Sequence, residues 1–412
     1  MDSYNNHHSQ SNPVELPASP HFRNDVRGFF LVDELLLFSG ASGSLFRANP
    51  TSALIWNGLN DGLEWKELID LLCEAFEKPV EQIATDVEQL ISQWQAHGFL
   101  ETYQESSDVR FGQNDKSTPS LEHREPIPVR EPNSIETRYR LLDNRIHLRL
   151  PSAEVAFRVH PMLAHLEASQ SRDCNLYLEV RRGRKQYLLL CDGALLDWCA
   201  DDWGVAPMVH ANIHLLAYER CDHLIGMHAA AVVKKKNCIL LPASCGSGKS
   251  TLTAALVGSG FRYCSDDMVF LTPKPIMMRP APLAMGIKSG SWELVEKYHP
   301  QLSSLSSHER ADGKVIRYLS PPAHAALKTP TEPLKVTHIL FPGYREGEKA
   351  ALSFLTPAQG LCRIAQAGYD VQDGMSEACL EQLVAWIADI PCYEFRYGDL
   401  GEAVDFLKVF FQ

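Results

Sequence analysis

The 412-residue sequence predicts a multidomain chain. A small α+β unit, three strands then three helices in winged-helix-like order, is joined by a linker to a larger α/β unit built around a phosphate-binding loop. Three observations carry that prediction. Turn-separated strand candidates give way to helical periodicity between residues 27 and 103. A charged, Ser-, Gln- and Pro-containing run at 105–134 lacks the apolar content to fold. A short apolar strand, a Gly-Lys-Ser loop and a helix follow one another from Cys238. Five segments result: a polar, disordered tail at 1–26, the small unit at 27–103, the linker at 104–135, a strand-rich part at 136–223 and the loop-bearing part at 224–412.

Bulk properties narrow the function classes. With 39 Lys and Arg against 51 Asp and Glu the net charge is -12, which argues against nucleic acid or an anionic membrane as the main partner. A hydrophobic content of 45% and a charged content of 22% are ordinary for a soluble globular protein. No apolar run approaches the roughly 20 residues of a membrane span. The first residues carry no apolar core of a secretion signal, so a cytoplasmic location is expected. The 11 cysteines are scattered without Cys-x-x-Cys spacing and read as small buried side chains, not as disulfides or zinc ligands.

In the small unit, strand candidates at 29–32, 34–38 and 44–47 are split by turn residues, Ser39-Gly40-Ala41-Ser42-Gly43 among them. Asn49-Pro50 supplies an N-cap and a proline at the first helical position. The helix it opens carries Ala53, Leu54, Trp56 and Leu59 and stops at Asp61-Gly62. A second runs from about Glu64 to Phe76. A third sets Val80, Ile83, Val87, Leu90, Ile91 and Trp94 at helical spacing and ends at His97-Gly98. Such an order suggests DNA binding, yet cations are few here (Lys66, Lys78) against many carboxylates, which is wrong for tracking phosphates.

The run Leu45-Phe46-Arg47-Ala48-Asn49-Pro50-Thr51-Ser52-Ala53-Leu54-Ile55-Trp56, with Asp61-Gly62, Asp86-Val87, Leu90-Ile91 and Gly98-Phe99-Leu100, resembles the PqqD-like family of precursor-peptide recognition elements. The resemblance implies that a leader peptide adds as a further strand to the small sheet and packs against the third helix. Main-chain bonds would then give affinity and side-chain pockets selectivity. Trp56, Val87 and Leu90 themselves read as core.

The chemistry concentrates further on. Cys238-Ile239-Leu240-Leu241 is apolar enough for a buried parallel strand. It leads into the nucleotide-binding candidates Ala243, Ser244, Cys245, Gly246, Ser247, Gly248, Lys249, Ser250 and Thr251, and a helix follows to Gly258-Ser259-Gly260. Backbone N–H groups of such a loop face an anion, Lys249 reaches the outer phosphates and Ser250 binds magnesium, so ATP and Mg2+ are the expected cofactors. Ala243 stands where glycine is commoner; the tightest backbone approach falls on Gly246 and Gly248. Neither a guanine-reading Asn-Lys-x-Asp nor a transporter-type Leu-Ser-Gly-Gly-Gln is present. A second strand, Phe261-Arg262-Tyr263-Cys264, ends on Ser265-Asp266-Asp267, and paired carboxylates at a strand's C-terminal end lie where ligands bind in an open α/β sheet.

Met227-His228-Ala229-Ala230-Ala231-Val232, the loop and Gly260-Phe261-Arg262-Tyr263-Cys264-Ser265-Asp266-Asp267 together resemble the HPr serine kinase/phosphorylase superfamily. By that resemblance Asp266 is the implied general base and Asp267 the metal-side carboxylate, with the two roles open to exchange. His228 would sit beside the phosphates, polarising the transferred group or orienting Asp266. Segments around Lys288 and Arg317 resemble the family's more divergent branch, and these cations would offset charge on the transferring phosphoryl group. A surface reading serves them nearly as well. The Glu-x-Arg-Gly-type segment of bacterial HPr kinases is not evident before residue 301, which speaks against HPr itself as substrate.

Residues 136–223 alternate strand candidates with little chemistry and are expected to extend the kinase sheet. The polar stretch 301–333 suggests a lid. Amphipathic helices are expected near 357–367 and 376–387, and a final one that packs on the core or on another subunit of a homo-oligomer. The reading that joins these parts is an ATP-dependent kinase acting on a Ser or Thr hydroxyl of a ribosomally made precursor peptide, its leader captured by 27–103. Two alternatives stand beside it: a regulatory serine kinase acting on a phosphocarrier-like protein, and a non-enzymatic, ATP-gated peptide chaperone.

Overall fold

The computed structural model describes residues 20–32, 34–101, 131–168, 173–244, 246–310, 312–327, 332–371 and 375–412. The expected tail up to residue 19, the expected linker from 104 to 130 and Cys245 lie outside them. The described residues form two compact units, one of 20–101 with 375–377 and one of the rest from 131 onward.

In the first unit β1 (Val26–Leu31), β2 (Glu34–Ser39) and β3 (Leu45–Ala48) make an antiparallel sheet in that order, followed by α1 (Pro50–Asn60), α2 (Trp65–Phe76) and α3 (Val80–Ala96). Local chemistry sets the helix starts. The Asn49 side chain accepts from Ser52 N–H at 2.7 Å, and Pro50 brings no N–H that would need a partner. Glu64 and Glu67 close a reciprocal capping box on α2. Inward residues of the sheet and helices, among them Leu35, Leu37, Trp56, Leu72, Val87 and Trp94, share one core. β1 lies so close to α1 that a Cβ on Gly28 would stand 2.8 Å from Trp56 Nε1. Residues 20–25, counted with the tail on composition, belong to this fold. Phe22 stands edge-on to Trp56 at 4.4 Å between centroids, and Arg23 N–H donates to the Phe99 carbonyl. The partly buried Phe22 ring packs between Trp56 and Trp94, and main-chain bonds such as Glu101 N–H to the His21 carbonyl help hold the segment.

The second unit opens with β4 (Ile135–Leu141), β5 (Asn144–Leu150), α4 (Ala153–Leu163), β6 (Leu176–Arg182), β7 (Tyr187–Cys191), β8 (Ala194–Cys199) and α5 (Val205–Glu219). These five strands pair in chain order into a sheet of their own, not as an extension of the next sheet. Tight reversals explain the difference from the expectation. Leu142 at φ 52° and Asp192-Gly193 at φ 51° and 86° return the chain at once, so strands find partners locally. α4 and α5 bury Val159, Val209 and Ile213 with Leu178 and Leu189, and the same core takes in Phe270, Leu283 and Tyr318 from further along.

Next come β9 (Ile225–Met227), β10 (Ala229–Lys234), β11 (Asn237–Pro242), α6 (Lys249–Gly258), β12 (Arg262–Ser265), β13 (Val269–Leu271), β14 (Met278–Arg279) and β15 (Met285–Lys288). After the short α7 (Trp292–Glu296) follow β16 (Ser307–Glu309), β17 (Val315–Leu319), β18 (His338–Tyr344) and β19 (Ala351–Leu355). The chain closes with α8 (Pro357–Ala367), β20 (Tyr369–Asp370), α9 (Glu377–Ile387), β21 (Cys392–Tyr397) and α10 (Leu400–Phe410).

The central sheet runs β12-β10-β11-β18-β21-β19. β11, β18 and β21 are parallel, so their C-terminal ends share one edge. β11 is buried from Cys238 to Pro242, as a strand covered on both faces must be. α6 and α10 pack on it through Leu252, Leu256, Val404 and Leu407. The middle of the stretch expected as a lid is strand instead: β16 pairs β17, and β17 pairs β15, which satisfies the backbone of those segments within a small sheet. Residues 311 and 328–331 of that stretch lie outside the described residues.

Candidate active site

The loop at 243–248 joins β11 to α6, and its glycines are dictated by backbone conformation. Gly246 and Gly248 sit at φ 90° and 85°, in the left-handed region. A Cβ on Gly246 would touch nothing within 4 Å, so the dihedral and not crowding calls for glycine there. Gly248 is the N-cap of α6 and brings no side chain to cap it, and the first turn holds no acidic residue. The leading N–H groups of α6 therefore stay open to an anion. Ser247 Oγ is buried without a hydrogen-bond partner among the described residues. Thr251 Oγ1 donates to Ser291 Oγ at 2.8 Å, tying the start of α6 to the turn after β15.

Lys249, first residue of α6, is 5% exposed, and its Nζ likewise has no hydrogen-bond partner among the described residues. It stands 3.6 Å from Asp267 Oδ1. The same oxygen accepts from His228 Nε2 at 2.9 Å. His228 precedes β10, which lies beside both β11 and β12, so the sheet brings imidazole, loop and carboxylates together. Its other nitrogen, Nδ1, is 3.3 Å from the Ala367 carbonyl, and its backbone N–H donates to Gly368 at 2.9 Å. Both ring nitrogens thus face acceptors.

The two adjacent aspartates occupy different environments. Asp266 is 7% exposed, and its Oδ1 has no partner among the described residues. Burial pushes its carboxyl up from the usual range. The Lys249 charge opposes that rise, the Asp267 charge adds to it, and a hydrogen bond from Ser250 opposes it. The Asp267 side chain is 55% exposed. The His228 hydrogen bond, helped by the Lys249 charge, holds its carboxyl well below the usual range. Asp267 has φ 78°, so the chain turns over between the two residues and points one carboxyl inward and one outward.

Two further imidazoles, which sequence reasoning missed, reach this site from α5. His210 and His214 lie one helical turn apart and so share a face. His210 Nε2 donates to the Ala284 carbonyl at 3.0 Å, and its ring stacks on Tyr318 at 4.5 Å. Burial and the neighbouring His214 push its pKa down to about 4. Burial also lowers His214, which feels the charges of Asp267, Lys249 and His228. The i, i+4 histidine spacing was the available signal, but nothing local says what faces it.

Lys288 and Arg317 lie on paired strands, Lys288 opposite Ile316 and Arg317 opposite Ile287. Arg317 is engaged elsewhere: its guanidinium lies 3.9 Å from the Trp292 ring centroid and 3.5 Å from Glu296. Lys288 makes no ion pair among the described residues. Nor is any group of three or more His, Cys, Asp or Glu there placed to hold a metal by itself. The unpartnered Asp266 Oδ1 beside Ser250 is a pair of hard oxygen donors, which fits an ion such as magnesium that takes one or two carboxylates and completes its shell with phosphates and water.

Residues 34–100, the first unit, match the family model described as coenzyme PQQ synthesis protein D (PqqD). A solved structure described as the Hpr(Ser) kinase/phosphatase from Coxiella burnetii covers 45% of this chain and 93% of its own, at 11% identity and a TM-score of 0.22. A superposition of that quality carries no argument, so the second unit is read from its own geometry. Among curated proteins no relative matches significantly. No helix among the described residues is long and apolar enough to cross a membrane.

Proposed function

We propose that the chain is a phosphotransferase that moves the terminal phosphoryl group of ATP to a Ser or Thr hydroxyl of a ribosomally made precursor peptide. Residues 27–103 capture the leader, as the match of the first unit supports. The observation that carries the reading is the alignment of Lys249, Asp267 and His228 at the open N-terminus of α6.

The resemblance put the base on Asp266, and the geometry supports the exchange. Asp267 is the exposed carboxylate and the one His228 orients, while Asp266 is buried against Ser250. Asp267 therefore receives the acceptor's hydroxyl proton as the new O–P bond forms and the bond to the bridging oxygen breaks. Its low basicity suits a loose transition state, in which the protein's task is to position the hydroxyl and balance charge. Lys249 and the α6 N–H groups bind the phosphates and neutralise the charge that moves to the leaving group. Asp266 and Ser250 would hold magnesium, which supplies further charge neutralisation on the phosphates when bound.

The test is incubation of the full chain with ATP, magnesium and any small precursor peptide found encoded beside its gene. The expected outcome is a mass gain of one phosphate on a Ser or Thr outside the leader, lost in Asp267→Asn. Absence of any mass gain in the unsubstituted protein overturns the proposal.

A further inference from the structure

A pocket of about 180 Å³ opens on the shoulder of the loop, under the C-terminal turn of α8. Ser244 and Ser247 of the loop form one wall, Phe341 and Glu394 the floor, and Arg363 and Gln366 of α8 the roof. Phe341 and Glu394 are paired across β18 and β21. Their chain neighbours Leu340 and Phe395 belong to the core under α6 and α10, and strand residues alternate faces. The pocket is thus on the opposite face of the sheet from α6.

Strand order decides what can sit there. Reading β12-β10-β11-β18-β21 along the edge, Asp267 and His228 stand at the ends of β12 and β10, whereas the pocket lies over β11, β18 and β21, with Ala243 and Ala367 bordering both the pocket and His228. In a phosphoryl transfer the attacking and leaving oxygens stand on opposite sides of the phosphorus, roughly in line. The acceptor comes from the side of the base, so whatever sits over β11, β18 and β21 belongs to the leaving group. We propose that this pocket seats the sugar and base of the donor nucleotide, an inference that rests on the phosphotransferase reading above.

Size and chemistry agree with that occupant. Pockets that take a whole small-molecule ligand hold roughly 300–1,000 Å³. This one takes one end of a ligand whose phosphates lie outside it along the loop. Arg363 Nη1 donates to Glu394 Oε1 at 2.9 Å, and its guanidinium lies 5.9 Å from the Phe341 ring centroid. A guanidinium held in this way offers a flat face on which a heterocyclic base stacks. The Glu394 carboxylate keeps lone pairs beyond those its arginines use, and Ser247 Oγ is buried and unpartnered among the described residues. Sugar hydroxyls satisfy both.

The experiment compares ADP with pyrophosphate as calorimetric ligands of the full chain, each with magnesium. Both bind the unsubstituted protein, ADP more tightly. In Arg363→Ala and in Gln366→Trp, which blocks the mouth from an exposed helix position, ADP affinity falls about tenfold toward that of pyrophosphate. Pyrophosphate affinity stays unchanged, which also shows that the loop has kept its shape. Gln366→Trp keeps the test valid if loss of the Arg363–Glu394 pair disturbs folding. ADP affinity untouched in both variants overturns the pocket assignment while leaving the phosphotransferase reading in place. Failure of the unsubstituted protein to bind pyrophosphate overturns the reading of the loop, and this inference with it.

Discussion

The two units treat buried polar atoms in opposite ways. In the first, side chains cap the starts of α1 and α2, and Trp94 Nε1 is the one buried side-chain polar atom without a partner among the described residues. In the second, Ser247 Oγ, Lys249 Nζ and Asp266 Oδ1 are all unpartnered within one loop and its neighbouring strand end. An unsatisfied buried polar group costs roughly 1–3 kcal/mol. Such groups persist in a cluster where a ligand completes them. The first unit is therefore built for packing. The second keeps its polar groups in readiness at the expense of stability.

Three substitutions test that contrast. The largest effect is expected from Lys249→Met, which should lower the rate of phosphoryl transfer by about 10³-fold. Its melting temperature should hold or rise, because a buried ammonium that lacks a hydrogen-bond partner among the described residues is removed, and only the half-exposed Asp267 loses an ion pair. A rate assay beside a thermal melt checks both, and a large drop in melting temperature would mean that Lys249 is structural.

Trp94→Ala should do the converse. It should cost the first unit about 3–5 kcal/mol and abolish leader-dependent turnover, yet leave ADP binding to the second unit unchanged by calorimetry. Equal loss of ADP affinity would show that the division of labour is wrong.

The smallest effect concerns pH. His210 titrates near 4 in the folded chain against an ordinary 6.5. The unfolded chain thus takes up a proton first, and stability is lost as pH falls through the window from about 6.5 to about 4. The full effect is on the order of 3 kcal/mol, and less where solvent reaches the ring. His210→Gln should flatten the dependence of melting temperature on pH across that window. An unchanged slope would remove His210 from the account.

What was legible in the sequence follows from the range of the forces involved. Asn49-Pro50, the Gly246 and Gly248 dihedrals and the periodicity of α3 act within a few residues, so the first unit and the loop could be read directly. The resemblance set His228 beside the phosphates or on Asp266; its bond to Asp267 was not read, since it joins the ends of two strands that only the folded sheet makes neighbours. The segregation of β4–β8 into its own sheet was missed because strand candidates carry no statement of which sheet they join. His210 and His214 were missed because their meaning depends on what a helix faces. The contacts of Arg317 with Glu296 and Trp292 were out of reach for a related reason, since they are tertiary.

The left-handed residue at Asp267 has one more consequence. At φ 78° a backbone tolerates glycine, asparagine and aspartate far better than longer or branched side chains. At this position charge and conformation can therefore be inherited separately. An amide preserves the turn and loses the acid, whereas a glutamate preserves the acid and strains the turn. On the role proposed for Asp267, a sequence drifting away from catalysis would keep its shape by passing through asparagine, so a dead but folded descendant of this site should be recognisable by that one letter.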